Sequence, residues 1–302
     1  MEKLVNLESY PVQVALQLLL ADKTSKKNIV FATGTYDGID PHEHMTKDLL
    51  RKIDLQPRVE KTSEEQSLRT KKKAEVFTPS WVVNQMNNYC DENWFGRKDV
   101  FNVEDKEDHT WNYVAGAIEM PTGKTWQDYV RLLKMEITCG EAPFIVSRYD
   151  PATGRRISVG DRIGVLDRKL RIVGEHTQNE SEWRKWATAA LKSSYGYEFQ
   201  GDNLLIARVN ILDTLCEYRD NRFGGRTDND QIKNWAEIIA WNFWQMDGFS
   251  GCIPFGKVRE PVQTSFWQDP SEIEVPVVDT ECKIRDWRTD EVITYNSMKE
   301  GK

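Results

Sequence analysis

Between residues 134 and 247, short apolar runs alternate with longer segments whose apolar residues return at helical spacing, and few folds accommodate that alternation. Ile163, Leu166, Leu170 and Val173 fall on one helical face. So do Trp183, Trp186, Ala190 and Leu191, then Leu204, Ile211 and Leu215, then Ile232, Trp235 and Ile239. The runs 134–138, 196–199 and 243–247 stand between them as strands. Strands separated by helices need crossover connections, so the pattern predicts an α/β domain built on a doubly wound, parallel sheet.

The flanking regions read differently. Residues 12–22 have helical periodicity after Pro11, 27–33 read as a short strand and 42–53 as another helix, together an N-terminal subdomain over 1–54. From Arg51 to Lys73 the chain carries Arg51, Lys52, Arg58, Lys61, Arg69, Lys71, Lys72 and Lys73 with few apolar residues, which predicts a solvated linker or an arm contacting phosphates. Thr78 is placed to cap a helix whose first residue is Pro79 and which runs to about Glu92. An irregular excursion at 93–125 precedes a helix at 126–133, and 144–149 is expected to open a further helix, closed by the turn at 151–154. Beyond 249 the helical period disappears, and 275–278, 282–287 and 291–294 read as short strands. The division predicted is an N-terminal α+β extension with its charged linker (1–74), a cofactor-binding domain (75–255) and a β-rich tail (256–302).

Composition removes several classes of function. A net charge of −7 argues against a general nucleic-acid coat, although local basic patches can still contact phosphates. Five cysteines, an odd number without a Cys-x-x-Cys pair, support neither a disulfide framework nor a structural zinc site. The apolar stretch at 12–21 is broken by Gln13 and Gln17, so no signal peptide or membrane span is expected and cytoplasmic residence is. A Gly-x-x-x-x-Gly-Lys phosphate loop, a Gly-x-Ser-x-Gly elbow and a His-Glu-x-x-His helix are all lacking.

The chemistry-bearing candidates gather at the expected strand ends. Residues 135–146, MEITCGEAPFIV, run from an apolar strand into a turn of small and acidic residues. Such a turn lets main chain approach an adenosine-bearing cofactor, with a carboxylate for its ammonium or hydroxyls. Glu136, Thr138, Cys139, Gly140, Glu141 and Ala142 are the residues concerned; the plain alternative is a strand–helix turn with a buried cysteine. Glu198 ends the second strand, where a carboxylate can accept from both ribose hydroxyls, and Asp247 ends the third. Either could instead be a rim acid or part of an Asp-Gly turn. Two lesser candidates are His42 with His44, which could ligate a metal, and Asp279, Glu281 and Lys283, whose spacing is that with which nucleases hold a divalent ion.

Glu75-Val-Phe-Thr-Pro79, the 136–144 segment, and Gly196-Tyr-Glu198 with Asp202-Asn-Leu-Leu-Ile-Ala207 resemble the adenine-N6 DNA methyltransferases of restriction–modification systems. More closely, the chain is similar to the proteins called restriction endonuclease subunit M, from about residue 10 to the end. The resemblance implies a Rossmann-like sheet, S-adenosylmethionine as methyl donor, DNA as partner with an adenine flipped out of the duplex, and a companion restriction or specificity subunit. It implies that Thr78 and Pro79 contact the cofactor's methionine end, that 136–144, Phe144 included, forms the first cofactor motif, that Glu198 binds ribose, and that Asp247 lies near the adenine amino group. Ala142 stands where many relatives have glycine. The family's Asn-Pro-Pro-aromatic tetrad is missing; Asp269-Pro270-Ser271-Glu272 is the nearest approach and lacks the second proline and the ring. Asp269 and Pro270 are therefore the weak catalytic candidates, and methylation by this chain alone is not expected.

Overall fold

The computed structural model describes residues 3–73, 78–259 and 277–299. They form an α/β structure with ten α-helices and several small sheets, one of them a parallel sheet of three strands. The N-terminal part holds α1 (Val12–Leu20), α2 (Lys47–Leu50) and α3 (Ser63–Lys73), followed by α4 (Ser80–Phe95), a hairpin of β1 (Asn102–Asp105) and β2 (Thr110–Tyr113), and α5 (Trp126–Val130). The central part runs β3 (Lys134–Ile137), α6 (Val165–His176), α7 (Glu180–Lys192), β4 (Ser194–Glu198), α8 (Gly201–Phe223), α9 (Asn229–Asn242) and β5 (Phe243–Gln245).

β4 lies between β3 and β5, parallel to both, in a register that sets Glu136 beside Gly196 and Glu198 beside Gln245. The strand order is sequential. Two right-handed crossovers stepping in the same direction put their helices on one face. Accordingly Phe243 points into the large helical core. On the opposite face Tyr195, Tyr197, Trp244 and Met246 pack on Cys282, Ile284 and Tyr295. That face is thus covered by the C-terminal elements, β8 (Lys283–Asp286), β9 (Glu291–Thr294) and α10 (Tyr295–Lys299), while β6 (Cys252–Arg259) and β7 (Val277–Glu281) form a separate antiparallel pair. The second winding of a doubly wound sheet has no counterpart among the described residues.

At Gly196 the sheet packs tightly on the core: a Cβ there would come within 3.0 Å of Cys139 Cβ and 3.1 Å of the Phe243 ring. α8 is buried at every position from Gly201 to Cys216, as expected of a helix surrounded on all sides. Its Arg208, fully buried, donates to the carbonyls of Leu19, Ala21 and Phe243 and thereby fixes α1 against β5. The hydrophobic core runs unbroken from Val5 to Phe243, so the N-terminal extension and the sheet share it.

Five local expectations give way. Residues 27–33 form isolated bridges rather than a strand, and the helix expected over 42–53 shrinks to α2. Both follow from one pairing: the amides of Phe31, Ala32 and Met45 donate to Glu43, Pro41 and Ile29, so main chain at 41–45 is committed to 29–32 before a helix can start. The expected linker is built into the fold, since Arg58, Lys61 and Arg69 are buried and α3 forms its C-terminal half. Residues 144–149 form turns, because the carbonyls of Phe144 and Ile145 accept from Val165 and Leu166 at the start of α6 and are not free for a helix of their own. Finally α4 begins one residue later than predicted, with Pro79 rather than Thr78 in the capping position.

Candidate functional site

The turn after β3 is held by Glu198 at the end of β4. Gly140 N–H donates to Glu198 Oε2 at 2.9 Å, while the amides of Phe199 and Gln200 donate to Oε1, each at 3.0 Å. Burial raises the Glu198 carboxyl above its usual range, and these amides act the other way. Gly140 and Ala142 both adopt positive φ, +52° and +64°. Glycine takes that conformation freely, whereas for alanine it costs roughly 1–2 kcal/mol. Cys139 is buried and its thiol is pushed up by desolvation, so it packs as a small apolar residue. Glu141 is engaged elsewhere: it accepts from Arg58 N–H at 2.7 Å and from the Tyr149 hydroxyl at 2.7 Å. Thr138 is exposed at the strand end.

Glu136 sits within β3 rather than at its end. Its carboxyl lies in a groove of about 460 Å³ between β3 and α4, lined by Met86, Tyr89, Met135, Ile137, Phe144 and Ile145 among others. Its Oε2 is buried without a hydrogen-bond partner. Desolvation holds the acid well above the ordinary carboxyl range, opposed by the nearby amides of Phe144 and Ile145 and reinforced by the charge of Glu198. Glu136 and Glu198 therefore sense one another. Asp247 stands apart, in a turn past β5, accepting from Phe249 N–H at 2.9 Å.

Sequence reasoning missed what fills the strand ends. Gln245 clamps the main chain of Val30 from both sides, Val30 N–H donating to Oε1 at 2.9 Å and Nε2 donating to Val30 C=O at 2.8 Å. At the head of α8, Asp202 is fully buried and paired with Arg69 at 2.8 Å and Lys61 at 3.5 Å; Tyr36 donates to it, and Arg69 also reaches Gln200 and Asn203. Burial alone would raise Asp202, but the two cations outweigh it and hold the carboxyl below its usual value. A fully buried aspartate is rarely found without such a partner.

The remaining candidates are separated. His42 pairs with Asp40 and packs on Phe255, while His44 contacts Asn28 C=O, so the two imidazoles have different partners. Asp279, Glu281 and Lys283 are exposed, and among the described residues no group of three potential metal ligands gathers there or elsewhere. Asp269 and Pro270 lie outside the described residues, as do Val76 and Phe77. Among the described residues no helix is long and apolar enough to cross a membrane. No protein-family model, no curated protein and no solved structure matches the chain.

Proposed function

We propose that this chain is a methyltransferase-fold component of DNA modification or restriction that holds S-adenosylmethionine at the turn after β3. The observation that carries the reading is the bond from Gly140 N–H to Glu198 Oε2, which joins the turn after the first strand to the acid ending the second. In a nucleotide-binding sheet these are the positions that meet the cofactor's amino acid and ribose. Glu198 spends its three backbone bonds on local amides and retains lone-pair capacity on Oε2 for a ribose hydroxyl. Thr78 and Pro79, at the start of α4, are assigned to the methionine end. DNA and a restriction or specificity subunit are the partners of this reading, in the cytoplasm.

The chain alone does not methylate adenine in this proposal. In-line transfer needs the amino group held close to the sulfonium methyl, and a flipped base must be offset by stacking; the sequence lacks the Pro-Pro-aromatic platform that would do both. A second reading, a catalytically inactive methyltransferase-like binding protein acting in phage–host restriction or defence, is favoured by the Gln245–Val30 clamp, which ties up the side chain at the end of β5.

Calorimetry with S-adenosylmethionine separates them. Heat of binding that Glu198→Ala weakens by on the order of 1.5–3 kcal/mol, in a variant whose melting is cooperative, supports the first. No binding to the intact chain sinks it and leaves the second. Labelled S-adenosylmethionine with mixed-sequence DNA then tests transfer, and Glu198-dependent label in adenine would contradict the claim that this chain is inactive alone.

A further inference from the structure

We propose that the open edge of β3 is an interface between two copies of this chain, paired antiparallel about a two-fold axis through Met135. On one side β3 pairs with β4; on the other, the described residues supply no strand. An uncovered edge is a template for another strand, and proteins usually guard such edges with charge, proline or bulges. Here apolar side chains stand in water instead: Leu133 is 47% and Ile137 68% exposed, with Met86 and Tyr89 of α4 alongside at 54% and 68%. Lys134 N–H donates to Ser193 C=O. Lys134 and Glu136 therefore turn their main chain toward β4, and the two-residue period of a strand turns Leu133, Met135 and Ile137 toward the open side.

A closed pair of identical chains needs a self-complementary register. Centring on Met135 sets Leu133 opposite Ile137 of the second copy and Lys134 opposite its Glu136. The first match joins two exposed apolar side chains on one face. The second joins opposite charges at a non-hydrogen-bonded position, where facing Cα atoms come within about 4.5 Å. Moving the axis to Glu136 or to Lys134 sets that residue against itself, like charge on like charge, which is destabilising. The register also gives Glu136 what it lacks, since its Oε2 is buried without a partner and the ammonium of the second copy's Lys134 is a donor. An axis perpendicular to the sheet keeps both α4 helices on the same face, so Met86 and Tyr89 add to the covered area.

Sedimentation velocity on the full chain is the first measurement, with a dimer expected. Ile137→Lys, at an exposed position, should weaken association at least about tenfold. Leu133→Glu combined with Ile137→Lys should restore it, the introduced carboxylate facing the introduced ammonium across the axis. In a Cys90→Ser background, which removes the exposed thiol, Met135→Cys should oxidise to a disulfide-linked dimer. Directly opposed hydrogen-bonded residues have Cα atoms about 5.5 Å apart, inside the disulfide range. A monomeric wild-type chain, a dimer indifferent to Ile137→Lys, or failure to cross-link at Met135→Cys would overturn the interface. A monomer whose residues 133–137 gain exchange protection on adding a separate polypeptide would also overturn it, by giving the edge to a strand of another protein.

Discussion

Asp202 and Glu136 are both buried carboxylates, and their surroundings give them opposite consequences. Asp202 is met by Arg69, Lys61 and Tyr36. Removing one partner of such a pair leaves the other charge buried and uncompensated, at a cost of about 3–5 kcal/mol. Asp202→Ala should therefore lower the urea unfolding free energy by about that amount. Arg69→Met and Lys61→Met combined with Asp202→Leu should lose much less, because no charge is then stranded. Equal losses would mean that the pair is worth little beyond its packing. Much of this was illegible in the sequence. Gly140 and Glu198 could be picked out because turn chemistry and strand ends are local signals. Arg69 and Asp202 are 133 residues apart, and nothing in either neighbourhood names the other. Likewise, Glu141 reads as a cofactor acid from its motif, yet its oxygens are taken by Arg58 and Tyr149, which only the tertiary fold brings to it.

Helices were legible where one face is apolar over several turns. α6, α7 and α9 occupy the segments their periodicity predicts, and β3, β4 and β5 fall within one or two residues of the expected runs. Elements failed where their main chain was claimed by something distant, as at 144–149 and 27–33. Short elements depend on such local claims most. α5 has only five residues, too few for cooperative helix formation, and a reciprocal cap holds it: Asp128 N–H donates to Thr125 Oγ1, and Thr125 N–H donates to Asp128 Oδ2 at 2.7 Å. Thr125→Ala should cost about 1 kcal/mol. Because α5 leads directly into β3, the loss should appear as faster amide exchange at 126–130 with protection in α8 unchanged. Uniformly faster exchange would show that α5 opens only with the whole domain.

At the scale of the molecule, the burial of several acids sets how stability responds to pH. Burial raises Glu136, Glu198, Asp167 and Asp213, the last to about 6. Burial opposes ionisation of Asp202 and Glu217 as well, but Arg69 and Lys61 beside the first, and Arg148 and Arg162 beside the second, bring both below the usual range. Between the ordinary carboxyl value of about 4 and their raised native values, the first group binds more protons folded than unfolded, so its contribution falls as pH rises through that window. The second group binds more protons when unfolded, and its contribution falls as pH drops below about 4. Among the carboxyls, then, stability should rise as pH is lowered from neutrality toward about 5 and decline below about 4. Glu136 is the cleanest probe, because its Oε2 has no hydrogen-bond partner to lose. Glu136→Gln, made in an Ile137→Lys background so that association does not contribute, should raise stability at pH 7 by about 1 kcal/mol or more and flatten the slope between pH 5 and 7. Urea titrations of both chains across that range measure the difference directly. An unchanged slope would mean that water reaches the Glu136 carboxyl and that it ionises at its ordinary value, which would also take away the unmet charge that Lys134 of a second copy is proposed to answer.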